Sequence, residues 1–466
     1  MAKELFDQFR QVTNFPENWK LVELNELIYD LRGGSPLEPE DFLDKGFPVL
    51  HKGAIKPFGE IEIDPKKKAF THRDFVKKYS KSVISREYTT VTLRDLIPSG
   101  PSIGLISTLY SSPYPEYILA QGAYAFLVNT KLVIPEYLVW LSNTYDYRKF
   151  VRTIAVGSTQ IHVRTPVFTS IPIPLPPLAE QKRISAILGK CDRLRRTRRY
   201  ARQLSDTFLQ SVFLEMIGNP FTNPKKWKQL SIREIADIIV PTRDKAKHFC
   251  GNVPWITLPD LNGLFINSAK NLLTHEDAAE VGNRLMPAKT VLLSCAGSLG
   301  KVAVTTREVY ANQQFYGLVA KSSLVNHLFL AISLIMLGED FFFQLAGIST
   351  IGFFSKDKAL EIKILLPPLY LQEKFAQIIQ KFERLRTQQQ EGERQAEHLF
   401  QTMLHQAFRG ELTSSDFNDE TVSVFSQEIP VRQPKPKSTV EVAEYVHTKV
   451  NQQETEAVQL TLPGLE

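Results

Sequence analysis

Two short segments contain residue types that could take part in a reaction. The segment AGSLGK at 296–301 resembles part of a phosphate-binding loop. That motif, GxxxxGK[ST], would require glycine at Cys295 and serine or threonine at Val302. The segment GNPFTNP at 218–224 lacks the second proline of the Asn-Pro-Pro-aromatic motif used by adenine amino-methyltransferases, and no glycine-rich cofactor loop accompanies it. Both segments are predicted to be turns, or, for 296–301, a loop that presents backbone amides to a phosphate.

Other candidate sites are weaker. The segment DPKKK at 64–68 could belong to a nuclease carboxylate–lysine cluster, but a solvated basic turn needs no second acidic element. His51, His162 and His327 stand alone, without metal-ligand spacing. Three scattered cysteines form neither a CxxC pair nor a disulfide framework. The sequence therefore predicts no catalytic residue and no metal site in this chain.

Charge separates the chain into two parts. From Glu411 onward, ten acidic residues face four basic ones, so this end carries −6 and residues 1–410 carry +12. A cationic body favours a polyanionic partner such as DNA or RNA. The densest basic run, RLRRTRRYARQ at 193–203, is either a solvated helix face or a contact to a DNA backbone or a partner.

Cellular location is predicted from what the chain lacks. The longest apolar run, Leu328 to Leu337, is shorter than the ~20 residues of a membrane span. The N-terminus has no apolar signal region. We therefore expect a cytoplasmic protein with no membrane partner.

An internal repeat organises the sequence. Residues 171–188 read IPIPLPPLAEQKRISAIL and residues 362–379 read IKILLPPLYLQEKFAQII, at an offset of 191 without gaps. Upstream, FPENWKLVELNEL at 15–27 matches TNPKKWKQLSIREI at 222–235. The regions between these matches differ most. The chain is therefore predicted to be a duplication with similar boundaries around dissimilar centres.

After each PPL phrase, apolar residues recur in steps of three and four, which predicts a long helix in each half. One such helix cannot bury its apolar stripe alone, and its duplicate is the nearest partner. Chain order favours antiparallel packing, with a polar middle at Arg198, Ser205, Gln389 and Gly392. The predicted helix-pair interface consists of Ile184, Ile187, Cys191, Leu194, Phe208, Val212, Phe375, Ile378, Phe382, Leu385, Leu399 and Met403.

Short β-prone runs such as YAFLVN, TVLLSC, KVAVTT and FYGLVA predict sheet-rich domains upstream of each helix. The predicted fold class is α+β: two domains of mixed α/β type joined by two long antiparallel helices that form a coiled coil, with pseudo-twofold internal duplication. The predicted boundaries are 1–175 for the first domain, 176–218 for the central helix, 219–366 for the second domain, 367–411 for the C-terminal helix and 412–466 for an acidic, flexible tail.

The phrases LPPLAEQKRI and LPPLYLQEKF, together with the NWK and KWK openings, resemble the specificity subunit of type I restriction-modification systems. The second copy departs from the pattern at Tyr370-Leu371-Gln372. The resemblance implies two target-recognition domains that each read half of a split DNA sequence. It also implies partners: double-stranded DNA, two methyltransferase subunits that use S-adenosylmethionine, and restriction subunits that use ATP and Mg²⁺. This chain itself would need no cofactor.

Polar residues on loops between the matched segments are the candidate DNA contacts, because such side chains can reach base edges and phosphates. They are Lys52, Ser102, Gln121, Thr159, Gln160, His162 and Arg164 in the first domain, and Thr257, Ser298, Lys301, Gln313, Thr350 and Lys356 in the second. Two other functions remain open: a self-sufficient DNA methyltransferase, and a coiled-coil interaction protein without a DNA function.

Overall fold

The structure, a computed structural model, describes residues 2–63, 68–96, 99–110, 112–242, 244, 248–347 and 352–413. The chain separates into two compact units. Unit 1 contains residues 1–190 and those from 403 onward, and unit 2 contains residues 191–402.

Unit 1 contains domain 1, whose strands run between Lys20 and Leu175. The strands are β1 (Lys20–Glu23), β2 (Ile28–Gly33), β3 (Phe47–Leu50), β4 (Phe70–Thr71), β5 (Val83–Ser85), β6 (Thr89–Thr92), β7 (Arg94–Asp95), β8 (Ile106–Thr108), β9 (Glu116–Leu119), β10 (Ala123–Val128), β11 (Ile161–His162) and β12 (Pro172–Leu175). The helices of this part of the chain are α1 (Ala2–Val12), α2 (Leu24–Leu27), α3 (Arg73–Lys78), α4 (Pro135–Ser142), α5 (Tyr145–Ile154) and α6 (Thr165–Thr169).

Two long helical segments follow the domains, and domain 2 lies between them in sequence. After domain 1 come α7 (Leu178–Asp206) and α8 (Phe208–Met216). The helices of domain 2 are α9 (Ile232–Ile235), α10 (His275–Glu280), α11 (His327–Ile335), α12 (Gly338–Ala346) and α13 (Lys356–Leu360), and the last long helix is α14 (Leu369–Phe408). The strands of domain 2 are β13 (Lys228–Ser231), β14 (Ala236–Ile239), β15 (Val253–Ile256), β16 (Phe265–Ile266), β17 (Asn271–Leu273), β18 (Val291–Ser294), β19 (Val302–Thr305), β20 (Tyr310–Ala311), β21 (Phe315–Ala320) and β22 (Lys363–Leu366).

The sheets of the two domains repeat one topology. The order β2-β10-β6-β8 in domain 1 corresponds to β14-β21-β18-β19 in domain 2, where β16 adds a further strand. In each domain a parallel pair also recurs, β3 beside β9 and β15 beside β20. The first and last strands pair antiparallel in both, β1 with β12 and β13 with β22. The predicted α+β class and the duplication are therefore confirmed.

The apolar runs explain why these elements form. Strands such as β18 and β19 are buried along their whole length, which suits continuous runs of Val, Leu and Ala. Helix α11 is apolar around its whole circumference and is buried as a core helix, with the Asn326 side chain accepting hydrogen bonds from its first amides. Within the described ranges, no single helix is long and apolar enough to cross a membrane. Helices α11 and α12 meet that test only as a pair, with an 81° bend between them.

The two long helices pack antiparallel within unit 2. The Phe208 ring stacks on Phe382 with centroids 5.2 Å apart, and Phe213 meets Phe375 edge-on at 5.6 Å. A later residue of the first helical segment thus contacts an earlier residue of α14, so the two helices run antiparallel. The helical path breaks at Thr207, between α7 and α8.

The polar middle of this helix pair contains two kinds of contact. Ser205 Oγ donates to Gln389 Oε1 at 2.9 Å. About three turns earlier on α7, Arg195 is 3% exposed and bonds Asp192 at 2.7 Å and Glu397 at 3.2 Å. Its guanidinium also lies 4.3 Å from the centre of the Phe400 ring. The seam therefore contains a buried ionic cluster as well as a hydroxyl–amide bond.

Among the predicted interface residues, Ile184, Phe375 and Phe382 are buried. Leu385 is 56% exposed and Phe208 is 44% exposed. On α14 the buried residues Phe375, Ile379 and Phe382 are followed, at the same helical spacing, by half-buried Arg386, so Leu385 lies one position away from the inward-facing row. The remaining predicted residues are half-buried: Ile187, Cys191, Leu194, Val212, Ile378, Leu399 and Met403. Residues that the pattern did not select are also buried on these helices, among them Leu188, Phe213, Ala376, Ile379, Ala396, Phe400, Leu404, Ala407 and Phe408.

In unit 1, the N-terminal helix and the end of α14 contribute to the domain core. The Phe9 ring meets Phe150 edge-on at 4.9 Å. The centre of the Phe408 ring lies 6.2 Å from the centre of the Trp19 ring and 5.4 Å from that of the Tyr137 ring. The chain therefore returns to its beginning, in line with a pseudo-circular arrangement of the repeat.

Candidate nucleic-acid interface

In domain 1, the ends of two neighbouring strands bring polar residues to one sheet edge. Strands β3 and β9 run parallel, with Leu50 opposite Leu119, so the residues that follow them lie at the same edge. Lys52 follows β3 and Gln121 follows β9. A Cβ atom on Gly122 would lie 3.2 Å from Lys52 Cδ, so the lysine stem crosses this turn.

A second strand pair adds to this edge. Arg94 on β7 is opposite His162 on β11, and Arg94 Cβ lies 3.4 Å from the same Gly122 position. Asp95 is 8% exposed, and its Oδ2 accepts a hydrogen bond from the Ser102 amide at 2.8 Å. We call Lys52, Arg94, Ser102, Gln121 and His162 the domain-1 group. Four of these five residues were candidates from sequence, and Arg94 was missed.

Burial perturbs one member of the domain-1 group. Desolvation lowers the pKa of Lys52, and the positive charge of Arg94 lowers it further. The Asp95 carboxylate acts in the opposite direction. Lys52 therefore lies within the field of the Arg94–Asp95 pair.

The loop that carries Ser102 is held from the side by Arg148. The Arg148 guanidinium donates to the carbonyls of Gly100 at 3.0 Å and Pro101 at 2.6 Å, and also to that of Ile103. Burial lowers the pKa of Arg148 to about 10, so the group stays cationic at neutral pH. Arg148 is a positioning residue, because its donors are used on backbone carbonyls.

Three sequence candidates of domain 1 lie beyond the domain-1 group. Thr159 and Gln160 are in the turn closed by the bridge between Val156 and His162. Arg164 is exposed and directly precedes helix α6.

In domain 2, the corresponding strand ends form the second candidate surface. Strands β15 and β20 run parallel, with Ile256 opposite Ala311, and the Asn312 amide donates to the Ile256 carbonyl at 3.1 Å. Thr257 follows β15 and Gln313 follows β20. The Thr257 hydroxyl donates to Asp260 Oδ2 at 2.6 Å, so it caps the turn that follows.

Glycine at position 297 lets the loop of domain 2 approach this edge. A Cβ atom there would lie 3.0 Å from Gln314 Nε2. Gln314 Oε1 accepts from Asn312 Nδ2 at 2.8 Å, which fixes the amide. We call Thr257, Ser298, Gln313 and Gln314 the domain-2 group. Gln314 was missed from sequence, although the polar run Asn-Gln-Gln between two buried strands marks this position.

The remaining candidates of domain 2 are separate from the domain-2 group. Lys301 is exposed directly before β19, and Lys356 is exposed at the start of α13. Thr350 lies outside the described residues.

The two surfaces share one set of backbone hydrogen bonds, which we call the loop frame. Leu93 N donates to Gly122 O at 3.3 Å, and Cys295 N donates to Gln314 O at 2.8 Å. Gly104 N donates to Thr92 O at 2.7 Å, and Gly300 N donates to Ser294 O at 3.1 Å. A third pair completes the set, with Val163 N bonding Leu93 O and Phe354 N bonding Cys295 O. By this correspondence Arg94 and Asp95 take the places of Ala296 and Gly297.

The phosphate-loop candidate is a closed turn. The amides of Gly300 and Lys301 donate to Ser294 O at 3.1 Å and Ser294 Oγ at 2.8 Å. Phe342 covers Gly300 so closely that a Cβ atom there would lie 2.2 Å from the ring. These two amides are therefore already used within the loop.

The GNPFTNP segment is likewise structural. Asn219 Oδ1 accepts from the Phe221 amide at 2.8 Å. Asn223 bonds both the amide and the carbonyl of Trp227 at 2.8 Å. The turn interpretation is confirmed. Of the DPKKK segment, residues 64–67 lie outside the described residues.

The basic run of α7 pairs with carboxylates of α14. Arg202 lies 3.2 Å from Glu393, and Arg199 lies 3.9 Å from both Glu393 and Glu397. Together with buried Arg195, these arginines belong to the helix pair. Within the described residues no group of His, Cys, Asp or Glu side chains is arranged to hold a metal ion.

Comparison with known proteins agrees with this architecture. Residues 16–201 and 224–397 match the model of the type I restriction modification DNA specificity domain. Over 185 residues the chain is 26% identical to the type I restriction enzyme MjaVIII specificity subunit of Methanocaldococcus jannaschii, covering 40% of this chain and 42% of that protein. Over 100 residues it is 26% identical to the HindI specificity subunit of Haemophilus influenzae, covering 21% and 22%. The matched regions thus span less than half the length of these curated relatives.

Solved structures share the fold over most of the chain. The type I restriction-modification S subunit from M. genitalium aligns with a TM-score of 0.55 and 14% identity, covering 87% of this chain and 98% of that one. A chain from a study of complex assembly and conformational transition of the type I R-M system aligns with a TM-score of 0.52 and 21% identity, covering 86% and 100%.

Proposed function

The chain belongs to the type I restriction-modification DNA specificity family, and from that premise we propose that it is the sequence-recognition subunit of a type I complex. It binds a bipartite, asymmetric DNA target, with one half read by each domain. It directs adenine methylation and restriction by partner subunits and has no catalytic role of its own.

One observation carries this proposal: the same loop frame holds different side chains in the two domains. Both groups contain one serine and one glutamine at matching positions. The domain-1 group adds Lys, Arg and His, which suit guanine edges and phosphates, whereas the domain-2 group adds a threonine and a second, adjacent glutamine, whose amide suits adenine edges. Two unlike sets of side chains on one repeated backbone suit a target whose halves differ.

The net charge of +12 over residues 1–410 adds a sequence-independent attraction to the DNA backbone. The partners are methyltransferase subunits, two per complex, and restriction subunits. S-adenosylmethionine, ATP and Mg²⁺ belong to those partners, so this chain needs no cofactor.

Reconstitution tests the proposal. Purified chain with S-adenosylmethionine and duplex DNA should transfer no methyl groups, and addition of the methyltransferase subunit should produce methylation at one bipartite motif. Methyl transfer by the purified chain alone would favour a self-sufficient methyltransferase. Unchanged mobility of all duplexes, with and without the partner, would favour an interaction protein without a DNA function.

A further inference from the structure

Two glutamines of the repeated phrase are completely buried. Gln181 lies in the first turn of α7 and Gln372 in the first turn of α14, and both have 0% exposure. Buried polar side chains need hydrogen-bond partners, so the contacts of these two amides indicate what they do.

In unit 1, the Gln181 amide joins three parts of the chain. Its Oε1 accepts from the Ile134 amide at 3.1 Å, at the residue before core helix α4. Its Nε2 donates to the Leu132 carbonyl at 3.1 Å and to the Pro176 carbonyl at 2.9 Å, just after β12. The side chain therefore connects the long helix to the last strand and to the core of its own domain.

In unit 2, Gln372 makes the same three bonds. Its Oε1 accepts from the Asn326 amide at 2.9 Å, at the residue before core helix α11. Its Nε2 donates to the Leu324 carbonyl at 3.2 Å and to the Pro367 carbonyl at 2.8 Å. The preceding residues differ, Ala-Glu in the first copy and Tyr-Leu in the second, yet the bonds are identical.

Glutamine alone among the side chains fits this position. The amide supplies two N–H donors and one carbonyl acceptor, and all three are used. Glutamate would keep the acceptor but lose both donors, and asparagine would be one methylene too short. The two prolines before each helix have no backbone N–H. If the glutamine donors were removed, these prolines could not donate hydrogen bonds to the carbonyls in their place.

Small changes at this junction are amplified by helix length. Helix α14 has 40 residues, or about 60 Å at 1.5 Å per residue. A change of about 5° at its start would move the far end of such a helix by roughly 5 Å. This exceeds the ~3.4 Å rise of one base pair.

We propose that Gln181 and Gln372 are positioning residues that hold each recognition domain at one orientation on the helix that follows it, and so determine which spacer between the two half-sites the complex accepts. The inference rests on the proposed function. It assigns no base contact to either glutamine, because both side chains lie in the interior.

The test uses the full chain, coexpressed with its methyltransferase subunit, and a genome-wide map of methylated adenines. The variants are Gln181→Glu and Gln372→Glu, which remove the two donors at nearly constant volume. The controls are Gln203→Glu and Gln388→Glu, which change exposed glutamines on the same two long helices. Both junction variants should keep both half-site sequences while methylation spreads to spacers that differ by about one base pair; both controls should keep the original spacer.

A second measurement separates positioning from folding. In each Gln→Glu variant a carboxylate oxygen would face the two carbonyls that the amide had bonded, and this repulsion should move the side chain away from the Ile134 or Asn326 amide. Hydrogen exchange at that amide should therefore speed up only in the variant of the same junction, with the rest of the domain protected as before. An unchanged spacer in both variants would overturn the inference. So would loss of all methylation with global unfolding in these variants and in milder Gln→Asn versions, because the amide would then contribute stability alone. A wild-type map without a bipartite motif would instead contradict the proposed function.

Discussion

The loop from Thr92 to Gly104 in domain 1 and the loop from Ser294 to Gly300 in domain 2 have the same loop frame but are supported differently. The longer loop is held by one of its own side chains, the Asp95 carboxylate, and from outside by the Arg148 guanidinium. The shorter loop is held from within, since Ser294 Oγ accepts from the Lys301 amide and donates to the Ser298 carbonyl. The backbone frame can therefore remain while the loop and its side chains change.

The largest effect is expected from a change in the antiparallel pair formed by α7 and α14. Replacing Arg195 by Met should lower the free energy of unfolding by about 3 kcal/mol or somewhat more, because the contacts of a buried guanidinium to Asp192, Glu397 and the Phe400 ring are all lost, although Arg196 still pairs with Asp192. Methylation should fall equally at all target sites and should not depend on the sequence of either half-site. Denaturant unfolding and a methylation map check both effects, and exposed Arg193→Met is the control, with a change within about 0.5 kcal/mol. Loss of one half-site alone would contradict this shared role.

A somewhat smaller effect, confined to domain 1, is expected from Arg148→Met. The variant leaves three backbone carbonyls without their donor, and we expect unfolding of this domain to become easier by about 2–4 kcal/mol. Discrimination at one half-site should weaken while the other is unaffected. Arg152→Met, on the same helix but exposed, should have little effect on either. Equal weakening at both halves would mean that the domains are not independent.

Removal of single candidate contacts should act on one half-site each. Arg94→Ala and Gln314→Ala should each reduce discrimination by about 1–3 kcal/mol, the value of a good base contact, with little change in stability. Binding titrations with duplexes altered in one half at a time measure this. If the two variants weakened the same half, the assignment of one group to each domain would be wrong.

The smallest effect is a pH dependence specific to domain 2. Burial lowers the pKa of His327 in the folded chain below its ordinary value of 6.5. The unfolded chain therefore binds the proton more readily, and stability should fall as pH drops below about 6.5. Domain 1 has Pro135 at the matching helix start and lacks this contribution. Unfolding curves should be recorded in steps of ~0.5 pH unit from about 7.5 to about 5.5, on both sides of the ordinary histidine pKa. The free energy of unfolding should depend less on pH in His327→Gln than in the wild type.

The parts that sequence predicted are those that repeat or that follow local periodicity. The PPL phrase located both long helices, and runs such as VLLS and FYGLVA located buried strands β18 and β21. Arg94 and Arg148 were missed because their roles depend on contacts with residues distant in sequence. Leu385 is exposed because periodicity alone does not show which of two neighbouring positions faces the partner helix, and here Arg386 is the half-buried one. The base contacts themselves remain predictions.

Exchange of domain 1 for that of a relative with another target tests the central claim most directly. The exchanged segment should run from Lys20 to Leu175, the limits set by the paired strands β1 and β12. The hybrid, expressed with the methyltransferase subunit, should methylate adenines at a motif that has one new half, one original half and the original spacer. A motif changed in both halves would contradict the account, because each domain would then not read its half independently.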